Sequence, residues 1–224
     1  MLCAVSIHCI TAEYNVNALG MKVAFISFTR SKTQLHVETH SLRSNAIFPS
    51  IDNEYIIDVD SQLRPLKYTR LLKQKKLQDK VLVDYDYSQL KATMFRQSDN
   101  SISTYAVQDD SRDVFSFIAL LSTGDSIKRQ YLIDANGCPW QANVSLPTKE
   151  VLSTNIGKIS TVRYEVRFKP LSQKATPYVD MITFNFVNEN TKLNIWVSDN
   201  KIPIKAVARK KAVSMSWEII GIKP

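Results

Sequence analysis

Between Leu193 and Ala208 the chain alternates apolar and polar positions twice, with a polar break between the runs. Leu193, Ile195 and Val197 give way to Ser198-Asp199-Asn200-Lys201, and Ile202, Ile204, Ala206 and Ala208 resume the alternation. A period of two places one set of side chains on each face of an extended strand. Ser, Asp and Asn bond their own backbone and tolerate the left-handed conformation, so the break predicts a tight turn. The expected element is a β-hairpin near the C-terminus.

The pattern recurs upstream. Tyr14, Val16 and Ala18, then Met21, Val23 and Phe25, flank Gly20, where a bulge or hairpin is expected. Thr33 to His40 alternates through Leu35 and Val37, Pro49 marks a loop after Ala46-Ile47-Phe48, and Tyr55 to Asp60 reads as a strand. In the basic stretch that follows, Lys67, Thr69, Leu71, Lys73 and Lys75 share one face, while Leu66, Tyr68, Arg70 and Leu72 share the other. Val81, Val83, Tyr85 and Tyr87 come next, with Asp84 and Asp86 between them. Opposite charges on adjacent strands are a common cross-strand pairing, so a solvated sheet face accounts for this region. A Ser98–Ser101 turn precedes another strand at Ile102–Val107. Further strands are predicted over 127–134, 140–146, 156–168, 180–188, 192–198, 202–209 and 212–220.

One segment breaks the period. Val114, Phe117, Ile118 and Leu121 follow i, i+3, i+4, i+7 spacing, with Asp110 or Ser111 as cap, Asp113 in the first turn and Gly124 as a stop. Phe115 and Leu120 lie off that stripe, so the helix, over about 111–121, is apolar on more than one side. It is expected to be buried against a sheet. Short strands with regular turn signals define a mainly β chain, whether sheet, barrel or sandwich.

Composition narrows this picture only a little. At 224 residues, 44 % of them hydrophobic, the chain can bury a substantial core. Its formal charge of +8 permits anionic partners without choosing among them. Residues 1–12 hold no Lys, Arg, Asp or Glu, and the apolar run is too short to span a bilayer. It reads as the tail of a secretory signal cut after Thr11-Ala12, the other reading being a first β-strand. That leaves one domain over 13–224. Neither Cys3 nor Cys9 sits in a lipoprotein box, and without the opening segment Cys138 would be the sole cysteine, with no internal disulfide.

No glycine-rich phosphate loop, His-Glu-x-x-His or zinc-spaced cysteine set occurs. His36 and His40 share a strand face but stand about thirteen ångströms apart at strand rise, too far to share a metal. No catalytic constellation and no cofactor are expected.

Three stretches together resemble a known family. They are Tyr14-Asn-Val16 with Gly20-Met-Lys-Val23, the helix Asp113–Leu121, and the closing Ile195-Trp196-Val-Ser198-Asp199-Asn-Lys-Ile-Pro203-Ile204. The family is the one catalogued as domain of unknown function 3108, typical of exported proteins in Gram-negative bacteria. The resemblance covers nearly everything from Glu13 onward; the polar segment 169–180 departs from it. It implies a curved antiparallel meander, an incomplete barrel shaped like the periplasmic lipoprotein carriers, with the helix in its concavity. Such a scaffold can hold an acyl chain, with Val114, Phe117, Ile118 and Leu121 facing the concave side.

Two functions follow as expectations. The first is a non-enzymatic, periplasmic envelope protein that binds a lipid or other apolar ligand, its bland counterpart being a closed core. The second is an assembly factor that meets anionic envelope polymers or a protein partner through Arg64, Lys67, Lys73, Arg209, Lys210 and Lys211. A secretory signal argues against nucleic acid, and the sequence leaves the oligomeric state open.

Overall fold

The computed structural model describes residues 9–42, 50–124, 127–172, 180–211 and 213–224. Residues 1–8 of the presumed signal tail, the Pro49 loop and most of the polar 169–180 segment lie outside the described residues.

Eight antiparallel strands come first. They are β1 (Ile10–Ala18), β2 (Met21–Arg30), β3 (Gln34–Ser41), β4 (Asp52–Val59), β5 (Pro65–Gln74), β6 (Leu77–Asp86), β7 (Lys91–Arg96) and β8 (Ser101–Ala106). A two-residue strand, β9 (Arg112–Asp113), leads into helix α1 (Val114–Thr123). Then follow β10 (Gln130–Ala135), β11 (Cys138–Val144), β12 (Thr148–Thr154) and β13 (Gly157–Pro170). A short helix, α2 (Met181–Phe186), precedes β14 (Thr191–Ser198), β15 (Pro203–Lys210) and β16 (Val213–Lys223).

All sixteen strands belong to one curved sheet, in which the first strand pairs with the last: Thr11 faces Lys223 and Val16 faces Trp217. The edges are β8 and β9, and no backbone ladder joins them, so the sheet curls without closing. Every pairing is antiparallel except β9 with β10. The incomplete barrel implied by the family resemblance is therefore the observed architecture.

Local chemistry explains the turns. The β14–β15 hairpin closes as expected, with the Lys201 amide donating to the Ser198 carbonyl and Lys201 at positive φ. Leu19-Gly20 and Asn136-Gly137 also adopt positive φ, the geometry that two-residue hairpins need for their twist. Gly20 is thus a hairpin, and the bulge sits beside it, between Val16 and Asn17.

α1 starts three residues later than its spacing suggested. Ser111 precedes the helix and Arg112 joins Asp113 in β9, so Asp113 is the cap rather than a first-turn residue, its Oδ1 accepting from the Phe115 and Ser116 amides at 2.8 and 3.2 Å. Gly124 ends the helix in the left-handed conformation. Phe115, Phe117, Ile118 and Leu121 are all buried, each contributing about 1.5–3 kcal/mol by leaving water. The helix is enclosed on nearly every side, as a stretch apolar beyond one stripe should be.

The predicted strand over 180–188 is instead the helix α2. Asp180 caps it, accepting from the Ile182 and Thr183 amides, and a buried polar cap favours a turn of helix over an extended run. β12 lacks a sequence signal because none of its residues is buried.

Candidate functional site

The four apolar residues expected to face a ligand are in the packed interior. Val114, Phe117, Ile118 and Leu121 are at most 2 % exposed, and the Phe117 ring lies 5.4 Å from that of Tyr131. The open volume in this region lies along a neighbouring face of the same helix. A slot of about 290 Å³ runs between α1, the β1–β2 pair and the β14–β15 turn. Its floor is Ala12, Phe28, Ala119, Ser122 and Ile202, all buried. Exposed Ile10 and Lys201 stand at the rim with half-buried Arg30.

The slot exists because of side-chain size. Ala119 and Ser122 sit at i, i+3 on α1, small residues beside the large Phe115, Phe117, Ile118 and Leu121 of the same helix. Ser122 turns its hydroxyl back to the Ile118 carbonyl at 2.8 Å, which leaves a mostly apolar surface toward β1 and β2. Tyr14 ties the turn to β1 by donating to the Pro203 carbonyl at 2.7 Å. The volume is near the lower end of the roughly 300–1,000 Å³ of small-molecule pockets.

A second cluster, polar and deeply buried, lies on the inner face of β4–β8. Arg70 is fully covered and packs its guanidinium 4.1 Å over the Tyr68 ring. Burial pushes Arg70 down, but Tyr68, Asp134, Tyr85 and Asp180 outweigh it and hold the guanidinium firmly charged. Tyr85 and Tyr105 both donate to Oδ2 of Asp134, from strands on the opposite side of the open edge. Burial, with Asp134 beside them, keeps both phenols well above their ordinary range, so they remain donors. Side chains thus latch β8 toward β10 where no ladder does. Sequence reading missed this cluster, since a cation on an apolar strand face reads as an edge residue until its carboxylates arrive from distant segments.

The basic residues named from sequence do not form one surface. Arg64 is bound by Asp60 and Asp109 at 2.7 and 2.6 Å. Lys67 pairs with Asp84 at 3.7 Å, and Lys73 with Asp52 at 3.6 Å. Lys67–Asp84, between β5 and β6, is the cross-strand pairing that alternation foresaw, whereas Lys73 turns to β4. Arg209 and Lys211 are exposed at the β15 end, and Lys210 lies 4.9 Å over the Phe184 ring. His36 and His40 meet Glu54 and Asp52 separately, at 2.9 and 2.6 Å.

An open barrel of antiparallel strands wrapped around an apolar helix, with a slot beside that helix, defines a class of barrel-like proteins. The chain belongs to the family described as protein of unknown function DUF3108, whose model matches residues 11–211. Its fold is similar to that of the β-barrel-like protein of domain of unknown function DUF1849 from Brucella abortus. The TM-score is 0.61 at 10 % identity, covering 98 % of this chain and 99 % of that one. A weaker likeness is to a candidate exported protein with a YmcC-like fold from Bacteroides fragilis, with TM-score 0.38, 8 % identity, and 96 % and 95 % covered. A candidate lipoprotein from Parabacteroides distasonis gives TM-score 0.35 at 8 % identity, with 96 % and 94 % covered. No curated protein sequence matches the chain. Neither the family nor the barrel-like neighbour indicates an enzymatic activity.

Proposed function

We propose that this is a non-enzymatic, exported protein of the Gram-negative cell envelope that holds the chain of a lipid or other apolar ligand between α1 and the sheet. The observation that carries the reading is the slot of about 290 Å³ with its floor of Ala12, Phe28, Ala119 and Ile202. Buried side chains behind it, Phe117, Ile118 and Leu121 among them, give the floor rigid support. Export is supported by the uncharged apolar opening of the chain. A cut after Ala12 would take Ile10–Ala12 out of β1, so a cut ahead of Ile10 is the one that leaves the strand whole.

The alternative, a basic patch for anionic envelope polymers, has less support because Arg64, Lys67 and Lys73 already face carboxylates. Native mass spectrometry of protein purified from the periplasm of a Gram-negative host, followed by organic extraction, tests the proposal. A co-purifying lipid of defined mass is the expected result. An apo mass that no added amphiphile shifts would overturn it.

A further inference from the structure

One cation at the slot has no counter-ion among the described residues. Arg30 is the last residue of β2, opposite Ile10 of β1, and its side chain lines the slot beside Phe28. Other half-buried or buried arginines have partners: Arg64 has Asp60 and Asp109, Arg96 has Asp79, and Arg163 has Glu150. Arg112 donates to the Ser111 and Gln62 carbonyls, and Arg70 lies within its tyrosine–aspartate cluster. Among the described residues no acidic side chain is paired with Arg30.

This arrangement costs free energy as it stands. A charge drawn out of water is normally paired, and burial alone lowers the Arg30 guanidinium from its ordinary value, with no carboxylate to offset it. A guanidinium presents a planar fork that matches a carboxylate or phosphate in two parallel hydrogen bonds. Lys201, at the turn on the same rim, adds a second positive charge to the local field. The floor below is apolar. An anion of compact size would satisfy Arg30 and leave the floor wet, whereas a neutral chain would fill the floor and leave Arg30 unpaired. A chain with an anionic end does both.

We propose that the slot takes a single acyl chain ending in an anionic group, a carboxylate or a phosphate, with Arg30 pairing the head and Ala12, Phe28, Ala119 and Ile202 lying along the chain. This rests on the reading of the slot as a ligand site given above.

The test compares probes of one chain length on the full chain by isothermal titration calorimetry: dodecanoate, dodecyl phosphate and dodecan-1-ol. At least one anionic probe is expected to bind about tenfold tighter than the alcohol or better, the scale of a hydrogen bond to a charged group. Which of the two anions gains more assigns the head as carboxylate or phosphate. Arg30→Met should bring all three to the alcohol's affinity, and Arg30→Lys should keep part of the preference. Equal affinities for the three probes, or a preference unchanged in Arg30→Met, would overturn the head-group assignment while leaving a chain site. Failure of every probe to bind would overturn the site and this inference with it. The comparison among probes on the unmutated protein stands whether or not either variant folds.

Discussion

The phenol of Tyr55, on β4, donates to Oδ1 of Asp180 at 2.8 Å, across 125 residues of chain. The same oxygen accepts from the Ile182 and Thr183 amides, while Oδ2 takes the Thr183 hydroxyl at 2.7 Å. Asp180 is fully buried, and its own amide donates to Asn136. One residue therefore caps α2 and anchors it to the sheet through its carboxylate, and touches the β10–β11 turn through its amide. A six-residue helix has no stability of its own, so this contact positions it. From there α2 delivers Phe186 edge-on to Trp217, at 4.5 Å between centroids.

Tyr55→Phe should take one of three donors from the buried Asp180 Oδ1 and remove the acceptor that the Asn53 side-chain amide meets at 2.9 Å. The expected loss is about 1–3 kcal/mol in urea unfolding, with the slope against urea unchanged. Asp180→Ala should cost more, because it removes the cap as well as the Tyr55 partner. A Tyr55→Phe protein as stable as the parent would mean that the tyrosine packs against Phe115 and contributes little through its hydroxyl.

Arg70 makes a sharper case. Its charge is held by buried carboxylates and phenols around it, so Arg70→Met strands Asp134 and its neighbours with an uncompensated charge. Taking the cation out of a buried cluster of opposite charges is expected to destabilise the fold clearly. The double variant Arg70→Met with Asp134→Asn should recover part of that loss, since neither charge is then left alone. A double-mutant cycle in urea measures the coupling. Additive losses would show that the two do not share a network.

How much of this was legible depended on where each residue's partners lie. The β14–β15 hairpin announced itself because its alternation and its Ser-Asp-Asn turn are local. α1 did so because Val114, Phe117, Ile118 and Leu121 keep a helical period for two turns. α2 did not: Met181-Ile182-Thr183-Phe184 is too short for a period, and the partners of its cap, Tyr55 and Asn136, lie far away in the chain. The slot was illegible for another reason. Phe28, Ala119 and Ile202 come together only when β1 pairs with β16 and the sheet curls, and the informative signal on α1 was the small pair Ala119 and Ser122, not the large stripe. The same large stripe marked the core correctly and the opening not at all.

Acid should act on two aspartates in opposite directions. Burial pushes Asp79 up, but hydrogen bonds from Arg96 and from the Ser98 hydroxyl and amide outweigh it and hold the carboxyl below its ordinary value. Its contribution is present above the unfolded value, about 3.9, and is lost as the pH falls through the folded value. Asp113 behaves the other way. Burial raises it, and the capping bonds from Ser116 and Phe115 offset this only in part, so the native state holds that proton longer. Stability from Asp113 therefore falls as pH rises from about 3.9 through its folded value. Urea titrations from acid to neutral pH should show Asp79→Asn flattening the acid loss and Asp113→Asn flattening the opposing slope. The same slope change in both variants would contradict the assignment.

The start of β1 offers the last test, and it bears on both fold and site. Ile10 pairs with Arg30, Thr11 with Thr29 and Lys223, and Ala12 with Phe28 and Ile222. A chain beginning at Glu13 loses these pairings on both sides of the strand that joins the two halves of the sheet. At about 0.5–1.5 kcal/mol for each backbone hydrogen bond, roughly 2 kcal/mol or more should go. For a chain of this size that lowers Tm by about 4–8 °C relative to one beginning at Cys9. The shortened chain also lacks Ala12 from the slot floor and Ile10 from its rim, so dodecanoate affinity should fall with Tm. Equal melting of the two chains would remove Ile10–Ala12 from the folded unit and restore Ala12 as a place where an export signal could end.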